Sequence, residues 1–125
     1  MSAPTRAYAR AAQETASRER LMVLLFEAAL RHMRHAATLL DEGKAEALPL
    51  LTKAADIVAE LAATLDAKAV PELAQTLGEV YRYVAERLAH AAVFRKASAA
   101  REAERAFAPI VEGFQQAVAS LQAPR

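Results

Sequence analysis

Between residues 71 and 94, Leu73, Leu77, Val80, Val84, Leu88 and Ala91 recur every three or four positions, which places them together on a helix and scatters them over both faces of a strand. The same period returns in Leu51, Ala54, Ala55, Val58, Leu61, Ala62 and Leu65, and again in Ala103, Phe107, Ile110, Phe114, Ala117 and Leu121. Alanine fills about a quarter of the 125 positions, and as the best helix former and a poor strand former it excludes an all-β protein. The class is therefore all-α. A chain of 13.5 kDa with no internal repeat favours one domain, residues 1–125, whose folded surface is expected to be roughly 6,500 Å².

Four helices are expected, at about residues 18–42, 47–66, 71–94 and 98–121. Ser17 reads as the N-cap of the first and Gly43 as its stop, Pro49 fits only a first turn, and Pro71 opens the third helix. Ser98 suits the N-cap of the fourth, while Pro109 predicts a kink or break within it. Short connections favour antiparallel neighbours, so the expected architecture is an antiparallel up-down four-helix bundle. Residues 1–16 are small and polar around a single aromatic, Tyr8, and read as a short N-terminal segment that packs on the bundle or stays disordered.

The first helix carries an unusual run. Leu21-Met22-Val23-Leu24-Leu25-Phe26 is apolar on every side, so it is either enclosed by neighbours or shared with another chain. Catalytic and metal chemistry find little support. His32 and His35 stand one turn apart with Glu27 before them, but a di-iron bundle needs a second Glu-x-x-His helix, and none is present. His90 lacks any phosphotransfer signature, and the sequence has no cysteine, phosphate-binding glycine loop or nucleophile elbow. The expectation is no enzyme, no cofactor and no metal. A net charge of +1 with interleaved acids and bases gives no pull toward nucleic acid, and no run of about 18 apolar residues suggests membrane insertion. Met1 to Ser17 has two arginines and no apolar h-region, so a cytosolic location is expected.

Thr15-Ala16-Ser17, then Leu21 and Leu24-Leu25-Phe26-Glu27-Ala28-Ala29-Leu30, resembles the opening of the flagellar secretion chaperone FliS family. Further matches follow in order: Lys53-Ala54, Ile57-Val58, Glu60-Leu61 and Leu65-Asp66, then Glu72-Leu73-Ala74, Leu77 and Val80-Tyr81-Arg82-Tyr83. The likeness covers about residues 8–118. Departures are Arg18 for the usual proline, Phe26 and Ala28 for Tyr and Gly, Phe114 for a tryptophan, and Pro109. The resemblance implies a chaperone that binds the disordered C-terminal segment of flagellin, prevents its premature polymerisation and delivers it to the flagellar type III export gate. Such a protein is expected to be a monomer or weak homodimer. Ile57, Leu61, Leu65, Leu77, Tyr81, Phe107 and Phe114 are the expected walls of the flagellin groove, with Tyr8 as its displaceable cover. The competing expectation is a self-associating structural bundle with no export role.

Overall fold

The computed structural model describes residues 2–122, with the backbone alone at 15, 16 and 122. It holds four helices: α1 (Ala3–Asp41), α2 (Ala47–Ala63), α3 (Pro71–Phe94) and α4 (Ala97–Gln122). Each packs against two neighbours, α1 and α3 both on α2 and α4, which closes an antiparallel ring of four. Phe26, Met33, Leu51, Val58, Leu61, Val84, Leu88, Phe107 and Val111 fill the centre, interleaved with buried alanines such as Ala29, Ala36 and Ala100. The alanines let the helix backbones approach closely, and the few large side chains supply most of the apolar burial.

The punctuation explains the ends. After α1 the Gly43 N–H donates to the Leu40 carbonyl at 3.0 Å and the Lys44 N–H to that of Leu39 at 2.9 Å, with Gly43 at φ +69°. This pair of bonds satisfies the last carbonyls and needs the left-handed conformation that glycine adopts without strain. Helix α2 ends three residues short of the expected 66. Asp66 instead turns its carboxylate back to accept the Lys68 and Ala69 N–H groups at 3.0 and 3.2 Å, a local bond that competes with helix propagation. Pro71 then opens α3, where its missing N–H is no loss.

Two expectations fail. The first helix does not begin at Ser17, and residues 3–16 do not form a separate segment folded on the bundle. They belong to α1, which starts at Ala3 behind Ser2 as N-cap, the Thr5 N–H donating to Ser2 Oγ at 3.4 Å, with Pro4 harmless in the first turn. Once nucleated, each further alanine adds a hydrogen bond that offsets the backbone entropy and carries no side-chain entropy cost, so the cap option at Ser17 is overrun. The second is the break at Pro109: α4 runs through it as one helix, Ala97–Gln122. Proline removes the donor to the Arg105 carbonyl, but Pro109 and Arg105 both lie on the exposed face, where water can take that bond.

Candidate functional site

Between the paired ends of the helices, α1, the close of α2, the start of α3 and the second half of α4 leave a cleft of about 410 Å³. Met22 and Phe26 come from α1, Leu73, Leu77 and Tyr81 from α3, and Ile110, Gly113, Phe114 and Ala117 from α4, with Thr64 and Leu65 just past the end of α2. No lining residue is charged. The Thr64 hydroxyl is already engaged, donating to the Leu61 carbonyl at 2.7 Å. Burial raises the Tyr81 pKa, which keeps its phenol neutral. What the cleft offers a ligand is apolar contact, in a shape that suits large side chains from a partner helix.

An aromatic cluster forms the floor. The Phe26 ring lies 4.8 Å from Phe114 and 5.7 Å from Phe107, and Tyr81 stands 6.4 Å from Phe107. A second cleft of about 290 Å³ runs between α2 and α3 past Val58, Ala62, Gly78 and Ala85. Leu65 and Tyr81 line both clefts, which therefore adjoin at these two side chains and are together called the furrow. On the other side of α1, Val23, Leu24, Val118 and Ala119 border a separate hollow of about 370 Å³. The all-round apolar run of α1 divides accordingly: Phe26 enters the core, Met22 faces one cleft, Val23 and Leu24 face the other, Leu25 is half-buried and Leu21 is exposed.

Of the residues expected to wall the groove, Leu65, Leu77, Tyr81 and Phe114 meet in the cleft. Leu61 and Phe107 are fully buried and belong to the core beneath it, and Ile57 is half-buried outside both clefts. The cleft is also lined by Met22, Phe26, Thr64, Leu73, Ile110, Gly113 and Ala117, which were not expected there. Leu73, Ile110 and Ala117 carried a signal, since they belong to the same helical stripes, but a stripe does not tell which of its edges stays open. Tyr8 is 79% exposed on the free part of α1, about 21 Å beyond Met22 along the helix axis, and does not lie on the cleft.

The ion pairs between α1 and α4 lie away from the cleft, toward the opposite end of the bundle. Arg34 Nε donates to Glu104 at 2.7 Å, and Arg101 pairs with Asp41, whose carboxyl that bond holds below the usual carboxylate range. Among the described residues no three His, Asp or Glu side chains gather to hold a metal ion, and no helix is long and apolar enough to cross a membrane. The family model described as flagellar protein FliS matches residues 1–121. No curated protein matches the chain.

Proposed function

Because the chain belongs to the FliS family and is thereby a flagellar export chaperone, we propose that its furrow binds the disordered C-terminal segment of flagellin, keeps that segment from polymerising in the cytosol and carries it to the type III export gate. The supporting observation is the cleft itself: eleven residues drawn from all around the bundle, none charged, lining a space open to solvent. A flagellin terminus stays unfolded until it joins a filament, and its apolar stripe needs a temporary partner to prevent self-association. Ordering that segment on the chaperone costs several kcal/mol, which leaves an extensive interface releasable at the gate.

Leu65, Leu77, Tyr81 and Phe114, with Leu73 and Met22, are the side chains assigned to flagellin contact. Leu61 and Phe107 support them from below, Phe107 through its stack on Phe26 and Tyr81. A covering role for Tyr8 requires the free part of α1 to bend back near residues 17–20, which Tyr8→Ala tests: the fold stays intact and flagellin binds equally well or tighter.

Calorimetric titration with a flagellin C-terminal peptide is the decisive experiment. Saturable binding that Leu73→Asp weakens at least tenfold supports the assignment, and no heat at high micromolar peptide refutes it. Light scattering of the free protein addresses the rival reading. A monomer or weak dimer fits a chaperone, whereas a tight oligomer with the furrow occluded makes the protein a self-associating bundle.

A further inference from the structure

At the opposite end of α3 lies a second surface that the furrow does not use. Val93 is 72% and Phe94 60% exposed, beside Ala89 and His90, whose ring stacks on Phe94 at 4.6 Å. The chain then turns at Arg95, a non-glycine residue at φ 55°, and presents Arg95 and Lys96, both exposed, before α4 begins. Several neighbouring cations have carboxylate partners, Arg101 on Asp41, Lys44 on Glu42, and Arg87 on Glu86 and Glu102, while Lys53, further along α2, is in no ion pair among the described residues. Arg95 and Lys96 have none among the described residues. The negative C-terminal end of α3 and the positive N-terminal end of α4 meet here and largely cancel, so the two cations set the local potential.

We propose that this surface docks an amphipathic helix of another protein, one that sets carboxylates beside large apolar anchors. Val93 and Phe94 with Ala89 and His90 form an apolar face about one and a half helical turns long, matched to one or two anchor side chains. The adjacent unpaired cations select for acid and against base, and they steer the encounter. Phe94 lies about 20 Å along α3 from Tyr81, so the surface stays open while the furrow is filled. A patch this small gives a weak, fast-exchanging contact.

The probe is a 15-residue synthetic peptide with Leu and Phe at helical i, i+3, i+4 and i+7 spacing flanked by glutamates, set against a twin with glutamine at every glutamate. Binding to the full-length, isotope-labelled chain is followed by amide chemical shifts. The acidic peptide is expected to shift amides of residues 89–97 and to bind at least fivefold tighter than its twin. Arg95→Glu with Lys96→Glu removes that preference. Phe94→Ser abolishes binding while helicity and the amides of Leu73 and Leu77 stay unchanged, as suits so exposed a side chain. Equal binding of the two peptides, shifts confined to the furrow, or self-association of the peptide-free protein that Phe94→Ser abolishes overturns the proposal; the last outcome would give the surface to a second copy of the chain.

Discussion

Gly113 stands on the α4 wall of the cleft, and a Cβ built there meets nothing within 4 Å. The helix loses propensity at this position without any steric reason for glycine, so Gly113→Ala should raise stability by roughly 0.5–1 kcal/mol in urea unfolding. Gly78 differs only slightly, since its Cβ would touch Leu65 Cδ1 at 3.8 Å, an ordinary contact, and Gly78→Ala should gain a similar amount. A loss of stability in either variant would mean that the backbone there needs glycine for a reason the helix does not display. Arg95 is the reverse case. It adopts the left-handed conformation at the close of α3, which costs a non-glycine residue about 1 kcal/mol, so Arg95→Gly should stabilise by somewhat less than that after the added chain entropy. At this scale the sequence was least legible. Leu61 and Phe114 belong to stripes of the same period, yet one is sealed in the core and the other faces the cleft. Periodicity gives the direction of a face but not the gap between two faces, and that gap is set by the Phe26, Phe107 and Tyr81 rings contributed by three separate helices.

Among the elements, α3 is the best read, its bounds following directly from Pro71 and the end of its stripe, while α1 was misread by fourteen residues or more at its start. The cause is physical. Alanine-rich helix propagates favourably once nucleated, so a sequence that looks like a small polar tail before Ser17 continues as part of α1. Residues 7–14 are exposed throughout, and hydrogen exchange at their amides should be orders of magnitude faster than at Met33 or Val84, which are wholly buried. Comparable protection would show that the free part of α1 has found a partner. Further along α1, His32 lies half-buried against α2, and burial, followed by the charges of Arg31, Lys53 and His35, lowers its pKa below 6.5. The folded state therefore binds this proton more weakly than the unfolded chain. The stability due to neutral His32 is fully present above pH 6.5 and is lost as pH falls through the depressed folded value. Denaturation midpoints measured between pH 7.5 and 5 should decline, and His32→Gln should flatten that decline; an unchanged slope would place the titration elsewhere.

The molecule as a whole exposes 8209 Å², well above the roughly 6,500 Å² of a compact chain of its mass. Part of the excess is the free length of α1, and part is the apolar furrow with its neighbouring exposed Leu21, Leu24 and Leu73. A single-layer ring of four helices has a thin core, and alanine thins it further, so the bundle leaves apolar surface at its paired ends that a thicker protein would cover. If flagellin supplies the cover, binding must bury that surface and carry the thermodynamic mark of doing so. Calorimetry at several temperatures between 10 and 35 °C should then give a binding enthalpy that becomes steadily more negative on warming, the negative heat-capacity change of apolar burial. Saturating peptide should also raise the unfolding midpoint, since ligand at about one hundred times its Kd adds about 2.7 kcal/mol to the folded state. Leu73→Asp separates surface from core: the side chain is 53% exposed, so its replacement should leave the midpoint of the free protein nearly unchanged while removing most of the peptide-induced rise. A temperature-independent enthalpy, or a rise that survives Leu73→Asp, would mean that flagellin is held through polar contacts elsewhere on the bundle and that the furrow serves something else.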